Sequence, residues 1–234
     1  MKKAFFICLA LCVAFMLSAC KIEDNTEIQT SPPKEQVSIG TASQNDVDSS
    51  QTLAEAFLLK TNDDELYRIF SKLYSVALPR EPNTAVYQGF ADTSEISSSG
   101  LFNFYLTVEG DSVEQYYDET RQCYDIPVQA VTHTLDAYFS GYTFFPEKVS
   151  FGEYNWESGS FILSGLAGFG GPSFIKIAEK RTQGENVVVL TANQFDWSEN
   201  ENSTDVVATE TVVLEITQDG YRYQSYRIKN TVEG

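Results

Sequence analysis

The residues of this chain that could perform nucleophilic chemistry are Cys123 and the only histidine, His133. A cysteine becomes a reactive thiolate when a base lies beside it, so the two side chains would have to meet. His133 lies two positions after Val131 in an apolar helical stripe, which directs the imidazole to the polar face of that helix. The pattern therefore favours an exposed histidine and a cysteine that acts as a small, partly buried hydrophobic residue.

A second pair, Ser173 and Lys176, has the S-x-x-K spacing that penicillin-binding proteins and serine β-lactamases use for a nucleophilic serine. Those enzymes place the motif at the start of a helix and carry S-D-N and K-T-G elsewhere. Here the motif lies in a strand-like segment, and neither companion motif occurs. The glycines between Gly165 and Gly171 also lack the G-x-G-x-x-G and P-loop patterns, so they predict a bulge and turn between strands.

Carboxylates and amides are concentrated between two predicted strands, from Asp196 to Asp205. Oxygen ligands in a loop suit Ca²⁺, but this spacing departs from the EF-hand pattern and lacks its glycine. Asp118 and Glu119 could supply half of a glycosidase pair, yet spacing identifies no second carboxylate. With one histidine and no thiol cluster, a zinc site is disfavoured. The sequence therefore predicts a solvated hairpin loop, no metal or other cofactor, and no catalytic residue that spacing can identify.

Aromatic side chains crowd the middle of the chain. Tyrosine and tryptophan pair a large apolar area with a polar tip, which suits protein interfaces and surfaces that stack against sugars. One interpretation is a sheet core with half-buried tyrosines. The other is a ligand-binding surface, for which the candidate residues are Tyr142, Phe144, Phe145, Tyr154 and Trp156.

Three segments have helical patterns. A short helix or turn is expected at Leu53–Lys60, and apolar residues three and four apart predict longer helices at Asn62–Leu78 and Ile126–Ser140. Asp125 is the expected N-cap of the last helix, and Gly141 is its expected C-cap.

Most of the remaining segments alternate between apolar and polar residues and are separated by turn signals, of which Asp219-Gly220 is a strong one. The predicted strands are Leu101–Val108, Val113–Tyr117, Phe161–Leu166, Phe174–Lys180, Val187–Trp197, Val206–Thr217 and Tyr221–Ile228. Helices followed by an antiparallel run predict an α+β fold, with one or two helices packed on a curved antiparallel sheet that ends in a C-terminal β-meander. This outline resembles cystatin-like and NTF2-like domains, a likeness of fold that carries no function.

The N-terminal segment has the layout of a targeting signal. Lys2 and Lys3 precede the apolar run Ala4–Leu17, which is too short for a membrane-spanning helix. The run ends in Leu17-Ser18-Ala19-Cys20, which resembles the lipobox of bacterial lipoproteins. The resemblance implies a signal peptide at residues 1–19, and a diacylglyceryl group joined to the sulfur of Cys20 by a thioether. Two buried acyl chains anchor a protein durably in a membrane, whereas one gives marginal binding.

Residues 20–51 are expected to form a lipidated tether, and residues 52–234 a single α+β domain. The stretch after Cys20 is poor in aromatic and aliphatic residues, so it buries too little apolar surface to offset the entropy of ordering the chain. A flexible coil of about 30 residues would hold the domain about 30 Å from its anchor. The folded part keeps one cysteine, Cys123, so it has no internal disulfide.

The formal net charge of −17 disfavours nucleic acid as a partner. The expected partners are the membrane, through the lipid anchor, and a protein, peptide or glycan. Together these features predict an extracytoplasmic lipoprotein, anchored to the membrane, whose domain is a non-enzymatic binding module at the cell envelope. The alternative is a membrane-tethered hydrolase that acts on a cell-wall or extracellular glycan or peptide.

Overall fold

The computed structural model describes residues 51–76, 89–166, 175–195 and 205–231 of the chain. The predicted signal peptide, Cys20 and all of the predicted tether except Gln51 lie outside these residues. Within the described ranges, no helix is long and apolar enough to span a membrane.

Four α-helices lie in the described ranges: α1 (Leu53–Lys60), α2 (Asp63–Leu73), α3 (Ser98–Glu109) and α4 (Val128–Tyr138). Helices α1 and α2 each begin with a capping box. The side chain of Thr52 accepts a hydrogen bond from the N–H of Glu55, and the Glu55 carboxylate accepts one from the N–H of Thr52. Asn62 and Glu65 do the same at the start of α2. These bonds satisfy amides that the first turn of a helix leaves without partners.

The segment predicted as the strand Leu101–Val108 is helical and forms most of α3. Its alternating pattern placed Asn103 and Tyr105 on a solvent-facing side, yet both residues are 1 % exposed. Because α3 is buried on nearly every side of its first turns, an alternation of apolar and polar residues does not distinguish strand from helix there. The strand predicted at Val113–Tyr117 is also wrong, since Gly110–Tyr116 is a 3-10 helix.

The two longer predicted helices exist with shorter bounds. Helix α2 ends at Leu73, and the part of the prediction beyond Val76 lies outside the described residues. Helix α4 starts after Pro127, which occupies the N-cap position that was assigned to Asp125. Asp125 instead belongs to a strand, where its carboxylate accepts a hydrogen bond from the hydroxyl of Ser160.

The described strands form two four-stranded sheets, and every pairing in both is antiparallel. The first sheet has the order β1-β2-β4-β3 and contains β1 (Tyr117–Asp118), β2 (Cys123–Pro127), β3 (Glu153–Asn155) and β4 (Ser160–Leu163). The second follows chain order and contains β5 (Ile175–Thr182), β6 (Val187–Phe195), β7 (Val206–Thr217) and β8 (Gly220–Asn230). The predicted α+β class and the C-terminal meander are therefore confirmed.

Helix α3 links the packing of the two sheets within one hydrophobic core. The ring of Phe102 stacks on Phe161 of β4, with centroids 4.2 Å apart. Two positions later, the ring centroid of Phe104 lies 5.8 Å from that of Tyr223 on β8. The ring centroid of Phe139, just after α4, lies 4.7 Å from that of Phe104. These buried rings fix the end of α4 against the second sheet, which is where the candidate site lies.

Candidate functional site

The predicted aromatic segment, Tyr142–Trp156, divides into inner and outer rings. Phe144 and Tyr154 both contact the buried ring of Phe161, with ring centroids 6.1 Å and 5.4 Å from its centroid. These two half-buried residues complete the core beside β4. Phe144 and Tyr154 therefore pack against the core, as the first of the two interpretations of the aromatic residues expected.

The outer rings are Phe145 and Trp156, which are 42 % and 72 % exposed. The ammonium of Lys148 lies 4.1 Å from the ring centroid of Phe145, a cation–π contact. Trp156 meets Tyr154 edge to face at 4.8 Å and leaves most of its indole in solvent. Both side chains are therefore available for contact with another molecule.

A cleft of about 560 Å³ opens at the start of this segment. We name it the Tyr142 cleft; its lining residues are Thr132, Asp136, Phe139, Ser140, Gly141, Tyr142, Phe144 and Arg222. It gathers two of the five predicted ligand-binding residues, Tyr142 and Phe144. The other three, Phe145, Tyr154 and Trp156, do not line it.

The Tyr142 cleft forms where α4 meets β8. Helix α4 ends at Tyr138, and Phe139 occupies the C-cap position that was predicted for Gly141. The N–H of Phe139 donates to the carbonyl of Leu135 at 2.8 Å, and Phe139 forms a parallel β-bridge with Tyr223. Gly141 follows with a φ of 73°, a left-handed conformation that glycine adopts without steric cost. The chain thereby turns back over the start of β8 and brings Tyr142 to the same cleft as Arg222.

Opposite charges line the Tyr142 cleft. The Tyr142 hydroxyl donates a hydrogen bond to Oδ1 of Asp136 at 2.8 Å. Burial, with this bond and the charge of Asp136, raises the pKa of Tyr142, so the hydroxyl keeps its proton near neutral pH. The guanidinium of Arg222 makes no salt bridge with a carboxylate of the described residues. The cleft therefore offers an aromatic wall, an acceptor at Asp136 and a charged donor at Arg222.

Cys123 and His133 lie in the environments that the sequence predicted. Cys123 is 8 % exposed in β2, and His133 is exposed on α4. No hydrogen bond between them occurs among those of the described residues. Within the same ranges, no group of three His, Cys, Asp or Glu residues could hold a metal ion.

The carboxylate of Asp118 is part of a turn between β1 and β2. Its Oδ1 accepts bonds from the N–H groups of Thr120 and Arg121, at 2.9 Å and 3.1 Å. Arg121 also donates to Asp125 at 2.6 Å. The bonds from Ser160 and then from Arg121 lower the pKa of Asp125, although its partial burial opposes them. Asp118 and Asp125 therefore fix the geometry of this hairpin.

Several segments with candidate chemistry fall outside the described residues. These are Ser173, the glycines from Gly168 to Gly171, and the acidic cluster from Asp196 to Asn202. Lys176 is described, and it is an exposed residue of β5. Its ammonium lies 5.1 Å from the ring centroid of Phe195 on the neighbouring strand.

The sequence did not identify Asp136 and Arg222 as members of a shared cleft. Asp136 belongs to the polar side of an amphipathic helix, which is the usual place for a solvated carboxylate. Arg222 lies far along the chain, in a strand marked only by its tyrosines. Their proximity depends on the bridge between Phe139 and Tyr223, a tertiary contact that no local pattern encodes.

Comparison with protein-family models, with curated proteins and with solved structures found no match to this chain.

Proposed function

We propose that this chain is an extracytoplasmic lipoprotein, anchored to the membrane through Cys20, whose α+β domain binds a protein, peptide or glycan without catalysing a reaction. The N-terminal residues support the anchored location, since Leu17-Ser18-Ala19-Cys20 resembles a lipobox behind a basic and apolar segment. The Tyr142 cleft is the observation that supports a binding role.

The Tyr142 cleft has the size and composition of a ligand site. Its volume of about 560 Å³ lies in the range typical of small-molecule and subsite pockets, ~300–1,000 Å³. The rings of Tyr142 and Phe144 supply apolar surface, against which a sugar ring or an apolar side chain would pack. Asp136 would accept hydrogen bonds from hydroxyl or amide groups, and Arg222 would donate to carbonyl or carboxylate oxygens.

The test uses the full chain in a non-ionic detergent, immobilised and exposed to two sets of probes. One set consists of soluble cell-wall glycan fragments, and the other of peptides from proteolysed envelope proteins. We expect one set to be retained, and Tyr142→Ala to weaken the retained interaction by about 2 kcal/mol, roughly thirtyfold, as at a buried interface residue. Arg222→Gln should weaken it as well.

Leu59→Ala is the matched control, because Leu59 is a 77 % exposed hydrophobic residue of α1 that does not line the Tyr142 cleft. It should leave retention within about twofold of the wild type. Equal retention by Tyr142→Ala, Arg222→Gln and the wild type would refute the assignment of the ligand to this cleft. Cleavage of a probe by the wild type would contradict the non-enzymatic role and support the hydrolase alternative.

A further inference from the structure

We propose that the groove between α1 and α2 binds a small organic dianion of the phosphomonoester type. This site goes beyond the function proposed above, because it is separate from the Tyr142 cleft. We name it the cationic groove; its lining includes Phe57, Lys60, Glu65, Arg68, Lys72 and Tyr221.

The charge of the cationic groove is opposite to that of the chain. The sequence has 16 Lys and Arg residues against 33 Asp and Glu residues, yet three cations and one carboxylate line this cavity. None of Lys60, Arg68 and Lys72 forms a salt bridge with a carboxylate of the described residues. The one carboxylate, Glu65, accepts the capping bond from the N–H of Asn62 at 2.9 Å. The groove thus concentrates positive charge that no salt bridge among the described residues neutralises.

Lys72 is held in place by neutral groups. Its half-buried ammonium donates to the hydroxyls of Tyr138 and Tyr221 at 3.1 Å and 3.3 Å, and lies 4.6 Å from the ring centroid of Tyr138. An ammonium has three N–H donors, so one is left for a ligand. A desolvated cation without a counter-ion is costly, and a bound anion would remove much of that cost.

The tyrosine hydroxyls around Lys72 form an ordered chain. Tyr223 donates its proton to the carbonyl of Ile69 at 2.9 Å. Its oxygen is then the acceptor in the 3.5 Å contact with the Tyr221 hydroxyl, so Tyr221 is the donor. This leaves the Tyr221 oxygen facing Lys72 as an acceptor, which orients the ammonium. The cation is therefore positioned before any ligand arrives, which lowers the entropy cost of binding.

The shape and net charge of the groove define the ligand. Three cations and one carboxylate leave about two positive charges, which match a phosphomonoester of about −1.5 to −2 at neutral pH. The guanidinium of Arg68 suits bidentate contact with phosphate oxygens, and Lys72 acts as a point charge. The groove has a volume of about 330 Å³, and the rings of Phe57 and Tyr221 meet edge to face with centroids 6.1 Å apart. This space accommodates one small apolar or aromatic group beside the phosphate.

The test is calorimetric titration of the full chain in a non-ionic detergent with phenyl phosphate, and with phenol as the uncharged control. A second arm measures co-sedimentation with phosphatidylcholine vesicles that do or do not contain phosphatidic acid. We expect saturable binding of phenyl phosphate and none of phenol. Binding to vesicles only when they contain phosphatidic acid would also support the site and would assign the phosphate to a lipid headgroup.

Arg68→Gln and Lys72→Gln should each weaken the binding of the phosphate at least tenfold. Arg68 is exposed, so its variant tests the site even if Lys72→Gln disturbs the fold. Lys229→Gln is the matched control, since Lys229 is an exposed residue of β8 outside the groove, and should change affinity less than twofold. Tyr142→Ala should also leave this binding intact, which separates the site from the function proposed above. Absence of binding in both arms, or equal affinity of Arg68→Gln and the wild type, would overturn the proposal.

Discussion

Glu210 shows how a single residue can set the pH response of the domain. It is the only charged residue buried among those that the structure describes, and it lies on the inner face of β7. The hydroxyls of Tyr74 and Tyr226 donate to its two carboxylate oxygens at 2.5 Å and 2.8 Å. Burial raises the pKa of Glu210 above its ordinary value of 4.5, and these two bonds oppose the rise only in part.

We predict that Glu210→Gln makes the stability of the protein less sensitive to pH. Because the folded state binds the Glu210 proton up to a higher pH than the unfolded state does, this group favours folding at low pH. Its contribution is lost as the pH rises through the folded pKa. As the pH rises above the ordinary value of 4.5, the urea midpoint of the wild type should therefore fall relative to that of Glu210→Gln. A parallel pH response of the two proteins would contradict a raised pKa.

For single residues, the sequence predicted whether a side chain is buried or exposed better than it predicted which side chains contact each other. The helical stripe around Val131 was enough to predict that His133 is exposed, and Cys123, predicted to be a partly buried hydrophobic residue, is 8 % exposed. Glu210 lies between Thr209 and Thr211 in β7, and the sequence pattern does not specify which of these polar residues points inward. Its burial depends on the hydroxyls of Tyr74, just after α2, and of Tyr226 on β8, which reach Glu210 only when the chain folds.

Strand β8 is the edge of the second sheet, and its free side is covered by Phe90 and Phe139, which belong to two separate segments. The N–H of Tyr226 donates to the carbonyl of Phe90 at 2.9 Å, and Phe139 bridges Tyr223 further along the strand. Such cover protects an edge strand from pairing with another chain. Gly89 permits this close approach, because a Cβ atom on it would lie 1.8 Å from the carbonyl oxygen of Tyr226.

We predict that Gly89→Ala destabilises the domain by about 1–3 kcal/mol, the usual cost of forcing extra atoms into a packed site. The measurement is urea unfolding at neutral pH. Gly165→Ala is the control, because a Cβ atom there would meet none of the described residues within 4 Å, and it should change stability by less than about 0.5 kcal/mol. Equal stability of the two variants would show that the segment at Gly89 does not pack against β8 in solution.

Among the elements, the meander was predictable, but of the first sheet only β4 was, as the predicted strand Phe161–Leu166. The strands of the meander are 8 to 12 residues long and are joined at clear turn signals, so their local pattern is strong. The strands of the first sheet have 2 to 5 residues, and β2 pairs with β4 across the whole of α4. Short strands with partners distant in sequence leave little local signal. Helix α3 was predicted as a strand for a different reason, because burial on nearly every side of its first turns removes the helical pattern of apolar and polar residues.

At the scale of the whole molecule, the acidic charge bears on the proposed anchoring. The formal net charge is −17, and loss of Lys2 and Lys3 with the predicted signal peptide would make the remainder more acidic by two charges. An acidic domain is repelled by an anionic membrane surface, which would hold it away from the bilayer at the end of its tether. Against this background the cationic groove and Arg222 are local exceptions, which is why we assign ligands to them.

The central claim, that Cys20 carries the lipid anchor, is tested most directly by growth with a labelled fatty acid in a bacterial host that lipidates such proteins. We predict that the wild-type chain incorporates the label and sediments with membranes. Cys12→Ser should behave in the same way, because Cys12 lies within the predicted signal peptide. Cys20→Ser should carry no label. A wild-type chain without label, or equal labelling of Cys20→Ser, would contradict the claim.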